Sequence, residues 1–239
     1  MNILLFGGGR MGRILRSLAE ESGHTVLDVI DVDNLDALDD LEAADAVLDF
    51  SSPAALPSLA AYVERTGSPL CCGTTGYGPE EMKTLRELGR FAPVLYSANY
   101  SLGIAVLRKL LAQASQVLLP DFDVEITETH HRKKADAPSG TAKLLADAID
   151  PEKRMPRIEG RGPETGPREE GQIGVSALRG GTVAGEHTVY FFGEDEVFSL
   201  HHSAASRRIF AVGALRAAAA LSRMPAGFYT LDQVLFGEE

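Results

Sequence analysis

The sequence contains no tryptophan and only two cysteines, Cys71 and Cys72, which are adjacent. Neighbouring cysteines rarely form a disulfide with each other because the geometry is strained. A single adjacent pair also has none of the spacings of a zinc site. We therefore predict two buried strand residues in a reducing compartment, with no disulfide framework and no metal site.

Long hydrophobic runs are lacking as well, since none approaches the roughly 20 residues of a membrane-spanning helix. Residues 1–6 show no basic segment leading into an apolar stretch, so no secretory signal is expected. Positive charge is scarce: 23 Lys and Arg face 34 Asp and Glu, and the net charge is −11. This charge repels nucleic acid and anionic membranes. We expect a cytoplasmic protein with neither kind of partner.

Strand and helix patterns alternate along the first hundred residues. Apolar runs that predict strands lie at residues 2–6, 25–31, 46–50, 70–72 and 94–96. Helical patterns lie between them, at residues 11–22, 53–66 and 79–88. This alternation predicts an α/β fold with a doubly wound parallel sheet of the Rossmann type.

The second half of the chain follows a different pattern. Helices are predicted at residues 102–117, 140–149 and 205–222, and strands at residues 123–129, 173–178, 187–192 and 197–202. Residues 151–171 are rich in Pro, Gly, Glu and Arg and are interpreted as a mobile surface loop. Since no helix separates the last two strands, this half is predicted to be an α+β domain with a mixed sheet. The predicted domains are residues 1–101, to which residues 205–239 return, and residues 102–204.

The segment Gly7-Gly8-Gly9-Arg10-Met11-Gly12 matches G-x-G-x-x-G after a strand and at the start of a helix, as dinucleotide sites require. The glycines permit a tight turn, close approach of the backbone to a pyrophosphate, and close packing of helix on strand. The helix N-terminus adds N–H groups and the positive end of its dipole. The segment therefore predicts a nicotinamide dinucleotide cofactor, with a glycine-rich turn that binds nothing as the alternative.

Asp31 ends the second predicted strand, where an acidic residue binds the ribose hydroxyls of adenosine. A carboxylate there would repel the 2′-phosphate of NADPH, which slightly favours NADH. Arg10 and Arg13 are near enough in sequence to offset that repulsion. Both NADH and NADPH therefore remain candidates.

Small and polar residues follow other strands of the same predicted sheet. They are Phe50 and Ser51, then Gly73, Thr74 and Thr75 before Gly76, then Ser97, Ala98, Asn99 and Tyr100. Ligands bind at the carboxyl ends of parallel strands in this fold. We predict that these loops line the nicotinamide end of the cofactor.

One dense basic run stands out in this acidic chain, His130-His131-Arg132-Lys133-Lys134. It follows a predicted strand and precedes a helix that begins near Gly140 and Thr141. Cationic side chains beside a helix N-terminus make a receptor for carboxylates. A histidine, or a lysine among other cations, can also act as a general acid near neutral pH. A solvated basic face without a ligand is the alternative.

From Glu128 to Ala142 the sequence reads ETHHRKKADAPSGTA and resembles the signature E-x-H-H-x-x-K-x-D-A-P-S-G-T of the 4-hydroxy-tetrahydrodipicolinate reductase family. Further shared motifs are GTTG at residues 73–76, SANYS at 97–101 and GEHT at 185–188. The resemblance spans nearly the whole chain. It implies reduction of 4-hydroxy-tetrahydrodipicolinate to tetrahydrodipicolinate by NAD(P)H, with loss of water, on the way to diaminopimelate and lysine.

The resemblance also implies roles for individual residues. His130 is the position named as proton donor or acceptor, and Lys134 as the proton donor to the ring. His131, Gly140 and Thr141 bind the dicarboxylate substrate. The second domain then binds substrate and forms a homotetramer. Which of His130 and Lys134 donates the proton stays open.

Three other interpretations fit parts of the sequence. Aspartate and homoserine dehydrogenases also join a Rossmann domain to an α+β domain, but they lack the cationic signature. A redox sensor that only binds NAD needs no His130 and Lys134 pair. A homologue that has lost activity would not be expected to keep both donor positions.

Overall fold

The computed structural model describes residues 1–119 and 121–237. The chain divides into two compact units, one made of Met1–Ser101 and Arg208–Glu239, the other of Leu102–Arg207. Among the described residues, no helix is long and apolar enough to cross a membrane.

The described residues form eleven strands and seven α-helices, numbered in chain order. The strands are β1 (Asn2–Phe6), β2 (Thr25–Ile30), β3 (Ala46–Asp49), β4 (Leu70–Cys72), β5 (Pro93–Tyr96), β6 (Asp123–His130), β7 (Arg157–Glu159), β8 (Ile173–Arg179), β9 (Gly185–Phe192), β10 (Val197–Ala204) and β11 (Gly227–Tyr229). The helices are α1 (Arg10–Glu21), α2 (Leu56–Thr66), α3 (Pro79–Leu88), α4 (Leu102–Leu118), α5 (Gly140–Ile149), α6 (Arg208–Leu221) and α7 (Leu231–Phe236).

The first unit is built on a six-stranded sheet in the order β11-β5-β4-β3-β1-β2, and every neighbouring pair is parallel. The central strands are apolar and buried on both faces, as helices on both sides of a parallel sheet require. The predicted doubly wound parallel sheet is confirmed. Because β1 lies between β2 and β3, the winding reverses beside β1, and a crevice for a ligand opens at such a point.

The helix predicted at residues 53–66 is wrong as a continuous element. The structure has a 3₁₀ turn at Pro53–Ala55, and α2 begins at Leu56 with Pro57 in its first turn. Proline lacks an N–H group, and its ring collides with the carbonyl four residues earlier inside an α-helix. Pro57 therefore prevents one regular helix from running through the whole segment.

The second unit holds a five-stranded mixed sheet in the order β10-β9-β6-β8-β7. β9 is antiparallel to β6 and β10, whereas β8 is parallel to β6 and β7. Alternate residues of β6 are buried, among them Val124, Ile126, Glu128 and His130. The apolar ones form a core with residues of α4 and α5. The predicted α+β half with a mixed sheet is confirmed.

Three further details differ from the sequence-based expectation. Residues 151–171 are not wholly irregular, since β7 adds to the edge of β8. The helix predicted from residue 205 begins at Arg208, because β10 stays paired with β9 as far as Ala204. β11 and α7 were not predicted at all. β7 and β11 have three residues each, too few to show a period, and both lie at a sheet edge.

Candidate functional site

In the first unit, the predicted cofactor residues lie at the carboxyl ends of five adjacent strands. Following the sheet from β2 to β5, these strand ends carry Asp31, then the glycine loop, then Phe50 and Ser51, then Gly73–Thr75, then Ser97–Asn99. The fold therefore brings together segments that are spread over about ninety residues of sequence.

The glycine loop is shaped by two close approaches. Gly7 has φ +98°, and a Cβ atom there would lie 2.6 Å from the carbonyl oxygen of Phe50. At Gly12 a Cβ atom would overlap the carbonyl oxygen of Gly7, which lets α1 pack directly against the end of β1. Gly9 differs, because nothing lies within 4 Å of the position of its Cβ. It leaves open space in front of α1.

Among the described residues, no side chain caps the N-terminus of α1. Its N-cap is Gly9, and no acidic residue lies in its first turn. The N–H groups of the first turn and the positive end of the helix dipole are therefore available to an anion. This arrangement fits the pyrophosphate of a dinucleotide.

A cleft of about 230 Å³ lies beside the glycine loop. It is lined by Phe6, Gly7, Gly9, Ile30, Asp31, Val32, Leu35, Phe50, Ser51, Ser52 and Ala55. Asp31 is exposed, and its Oδ2 atom accepts a hydrogen bond of 3.0 Å from the N–H of Gly8. A flat apolar base would contact Leu35, and the ribose would contact the carboxylate of Asp31 on the other side. The residues present therefore fit the adenosine part of NAD(P)H.

Asp49, which was not singled out from the sequence, holds the loop after β3. Its side chain is fully buried, and its Oδ1 atom accepts hydrogen bonds from the N–H and the hydroxyl of Ser51, at 3.1 and 2.5 Å. Its Oδ2 atom accepts from Cys72 and Tyr77. Asp49 thus fixes the Phe50–Ser51 wall of the cleft.

Cys71 and Cys72 are free and buried, which confirms the prediction that they are buried strand residues. Burial raises the pKa of both thiols, so neither is a nucleophile.

Two of the predicted cofactor residues, Thr74 and Tyr100, have buried side chains that hydrogen-bond to the protein itself. Thr74 is buried, and its hydroxyl accepts a hydrogen bond from the N–H of Ser51. Tyr100 is also buried, and its hydroxyl donates to the carbonyl of Cys72. These side chains support the loops, whereas Thr75 and Ala98 are exposed at the surface of the same loops.

In the second unit, His130 lies at the end of β6 and is nearly buried. Its Nδ1 atom is 2.6 Å from Oε2 of Glu128, two residues earlier on the same face of the strand. Its Nε2 atom lies over Gly185, where a Cβ atom would be 3.0 Å away. Gly185, the first residue of the GEHT motif, therefore leaves room for the ring.

The charge state of His130 follows from its surroundings. Burial lowers the pKa of His130, and Lys134 and Arg179 lower it further, while Glu128 raises it in part; the net pKa lies below the ordinary value. The ring of the neighbouring His187 stands edge-on at 5.2 Å, and burial together with His130 lowers the pKa of His187 to about 4. At neutral pH both rings are mainly uncharged.

Lys134 is partly buried and forms an ion pair with the exposed carboxylate of Asp136, with Nζ at 2.7 Å from Oδ1. The hydrogen bond from Lys134 lowers the pKa of Asp136, and the backbone of Gly140 adds to this effect. A carboxylate of the protein itself therefore lies between Lys134 and the start of α5. The sequence suggested that Lys134 lies only among cations, but the structure also places this carboxylate beside it.

The start of α5 is organised by Ser139. The Ser139 hydroxyl caps the helix by accepting from the N–H of Ala142 at 3.1 Å, and it also contacts Nε2 of His187 at 3.2 Å. Gly140 is exposed, with nothing within 4 Å of the position of a Cβ atom. The Nε2 atom of His131 lies 3.5 Å from the guanidinium of Arg207. His130, His131, Lys134, Gly140 and Thr141 thus belong to one strand end, one loop and one helix start.

Glu128, Asp136, Arg179 and Ser139 complete this group but were not proposed as site residues. Glu128, Asp136 and Ser139 stand within the quoted signature, which was a signal for them. Arg179 lies 51 residues after Glu128 and stands outside every quoted motif, so no sequence pattern pointed to it. Among the described residues, no group of three or more His, Cys, Asp or Glu could hold a metal ion.

Comparisons with known proteins cover nearly the whole chain. Residues 1–100 match the family described as "Dihydrodipicolinate reductase, N-terminus", and residues 103–235 match "Dihydrodipicolinate reductase, C-terminus". A 4-hydroxy-tetrahydrodipicolinate reductase of an Exiguobacterium species is 42% identical over 98% of this chain and 95% of its own length. One from Staphylococcus aureus is 41% identical over 98% of this chain and 100% of its own.

Solved structures show the same fold at lower identity. A dipicolinate-bound dihydrodipicolinate reductase from Paenisporosarcina sp. TG-14 has a TM-score of 0.75 at 22% identity, covering 99% of this chain and 100% of that one. A myo-inositol dehydrogenase from Corynebacterium glutamicum has a TM-score of 0.58 at 16% identity, covering 95% of this chain and 90% of that one.

Proposed function

The chain belongs to the dihydrodipicolinate reductase family, and on that premise we propose that it reduces 4-hydroxy-tetrahydrodipicolinate to tetrahydrodipicolinate with loss of water. It is an NAD(P)H-dependent oxidoreductase of diaminopimelate and lysine biosynthesis. Residues 1–101 and 208–239 form its cofactor unit, and residues 102–207 its substrate unit.

The observation that carries this proposal is the group of donors at the end of β6. A chain of net charge −11 places His130, His131 and Lys134 beside the N-terminus of α5. Cationic and N–H donors in one place recognise carboxylates, and the substrate carries two. Dipicolinate, the compound bound in the solved reductase from Paenisporosarcina sp. TG-14, is also a dicarboxylate.

The first unit supplies the cofactor site. The N-terminus of α1 and Gly9 bind the pyrophosphate, Asp31 binds the adenosine ribose, and the loops after β4 and β5 hold the nicotinamide end. When bound, NADH or NADPH supplies the hydride. We favour NADH slightly, because Asp31 presents a carboxylate and none of the described residues that line the cleft beside it is a lysine or an arginine. Arg10 and Arg13 lie in the first turn of α1, near enough in sequence to keep NADPH as a second cofactor.

Lys134 and His130 handle protons in this proposal. The ring gains negative charge as it is reduced, so a neighbouring acid must donate a proton to it. Lys134 serves as that acid, since burial lowers the pKa of His130 and favours its neutral ring. The neutral His130 offers the lone pair of Nε2 as an acceptor. Proton transfer of this kind contributes about 10²–10⁴-fold to a rate.

Gly140, Thr141 and His131 bind the carboxylates of the substrate. The substitution Gly140→Ala tests this role. Because nothing lies within 4 Å of a Cβ atom at this position, the variant should fold as well as the wild type, and alanine favours a helix more than glycine does. The methyl group stands in front of the helix N-terminus, and loss of a charged hydrogen bond there should raise the KM for the substrate roughly 10- to 100-fold.

The same substitution at Gly162 is the matched control for Gly140→Ala. Gly162 also has open space at its Cβ position and lies in the segment between β7 and β8. Steady-state kinetics should show an unchanged KM for Gly162→Ala, and an unchanged KM for NADH in both variants. A substrate KM of Gly140→Ala equal to that of the wild type would remove α5 from the carboxylate site.

We extend the proposal to assembly and location. One face of the mixed sheet is lined by half-exposed or exposed residues such as Thr127, Thr188, Tyr190 and Phe192. This face suits contact with a second copy of the chain, and we propose a homotetramer held by it. The net charge of −11 and the two free cysteines support a cytoplasmic location.

A coupled assay tests the proposed function. Dihydrodipicolinate synthase generates the substrate from pyruvate and aspartate semialdehyde, and the loss of reduced-nicotinamide absorbance is followed with NADH and, separately, with NADPH. Oxidation that requires the synthase and both its substrates supports the function, and the ratio of the two rates measures the cofactor preference. If a folded protein that binds NADH oxidises neither cofactor, the proposed reaction is wrong.

A further inference from the structure

Building on the proposed function, we propose that Glu128 and Arg179 are positioning residues of the substrate site. Glu128 holds His130 in the tautomer whose Nδ1 carries the proton, so that Nε2 faces the reaction, and Arg179 connects that carboxylate to the loop of Lys134. Neither residue needs to touch the substrate.

The side chain of Glu128 has no exposed surface and is saturated with donors. Its Oε1 atom accepts from the N–H of Ser139 at 3.0 Å and from Nη2 of Arg179 at 2.7 Å. Its Oε2 atom accepts from Nη1 of Arg179 at 2.7 Å and lies 2.6 Å from Nδ1 of His130. A buried carboxylate is costly unless it is paired and hydrogen-bonded, and four donors meet that condition.

These contacts decide which nitrogen of His130 carries the proton. Burial would raise the pKa of Glu128, but the hydrogen bonds from Arg179, His130 and Ser139 together lower it, so Glu128 is ionised at neutral pH. An ionised carboxylate can only accept hydrogen bonds. Nδ1 must therefore donate, and in the neutral ring the lone pair is on Nε2. The orientation of a catalytic imidazole by a buried carboxylate is a general device of enzyme sites.

Arg179 extends the same network to Lys134. Besides binding Glu128 with both terminal nitrogens, its Nη2 atom donates to the backbone carbonyl of Asp136 at 2.7 Å. The carboxylate of Asp136 in turn holds the ammonium of Lys134. Through the N–H of Ser139, Glu128 also fixes the N-cap of α5. One carboxylate thus connects the histidine, the lysine loop and the helix start.

The substitution Glu128→Gln tests the inference. The glutamine amide has a single oxygen acceptor, whereas four donors bind the carboxylate of Glu128 in the wild type. The NH₂ group of the glutamine can donate to Nδ1 of His130 and so reverse the tautomer. We expect kcat to fall by about 10²–10⁴-fold, the full contribution of proton transfer. The charged groups that act on His130 would then be the cations Lys134 and Arg179, beside the neutral His187, so the pKa of His130 falls and its titration moves to lower pH.

Glu125→Gln is the matched control, since Glu125 lies on the same strand and is paired with Arg161 and Arg168 away from His130. Long-range ¹H–¹⁵N spectra of the histidine rings report the tautomer directly and do not depend on activity. We expect Nδ1–H for His130 in the wild type and in Glu125→Gln, and a changed ring spectrum in Glu128→Gln.

Arg179→Lys serves if Glu128→Gln does not fold, because it keeps the charge but loses the two-pronged contact. In this variant His130 should keep its tautomer. We expect kcat to fall because the loop of Lys134 loses the hydrogen bond that Arg179 donates to the carbonyl of Asp136. A wild-type spectrum with Nε2–H at His130, or a Glu128→Gln enzyme with the kcat and pH profile of the wild type, would overturn the inference. If the coupled assay shows no activity but the wild-type spectrum shows Nδ1–H at His130, the proposed reaction is wrong and the positioning role of Glu128 is still supported.

Discussion

Replacement of Lys134 by alanine is expected to lower kcat by about 10²–10⁴-fold while the KM for NADH stays within a factor of two or so, the loss being that of a positioned general acid. The reason lies in the geometry of the second unit. Lys134 is partly buried, is held by Asp136 and acts on the neutral His130, whereas Arg132 and Lys133 of the same run are exposed. Steady-state kinetics in the coupled assay measure the effect.

Lys133→Ala is the control for Lys134→Ala. Lys133 is the preceding residue, carries the same charge and is exposed. Its removal changes the charge of the loop by the same amount, so a purely electrostatic attraction of the substrate would suffer in both variants. A large loss of kcat in Lys134→Ala alone identifies the proton donor. Equal kcat values for Lys134→Ala and the wild type would remove Lys134 from that role and return it to His130.

The second large effect is expected from Gly12→Ala in the glycine loop. A Cβ atom at this position would overlap the backbone carbonyl of Gly7, which cannot turn away as a flexible side chain could. Overpacking costs about 1–3 kcal/mol, which exceeds the gain of about 1 kcal/mol from replacing glycine by alanine within a helix. We expect a lower melting temperature and loss of NADH binding, because α1 must move away from β1.

Gly9→Ala separates the two roles of the glycines. Gly9 has open space at its Cβ position, so this variant should keep the melting temperature of the wild type. Its methyl group lies where the pyrophosphate approaches the start of α1, and NADH binding should weaken with the fold intact. Thermal unfolding and NADH titration of the two variants measure these effects. NADH affinity of the wild type in Gly9→Ala would show that the cofactor does not approach this turn.

Much of the fold could be predicted because local signals determine it. β4, α3 and α5 have the bounds that were expected, Leu70–Cys72, Pro79–Leu88 and Gly140–Ile149. Proline at the start of α3 and a serine N-cap before α5 set these boundaries through contacts within one turn. The spacing of the glycines and the order of strands and helices likewise depend on neighbours in sequence.

The sequence by itself also determined the family and the positions of the candidate donors, since both depend on motifs whose own residues are close together in the chain. Only the tertiary structure decided how those donors are held. The contact of Glu128 with Arg179 joins residues 51 apart, and the contact of Asp49 with Cys72 joins residues 23 apart. The burial of Tyr100 and the edge strands β7 and β11 depend in the same way on distant partners. Helix ends and glycine turns are stabilised by contacts within a few residues, whereas buried carboxylates and short edge strands are stable only when the fold supplies partners from far along the chain.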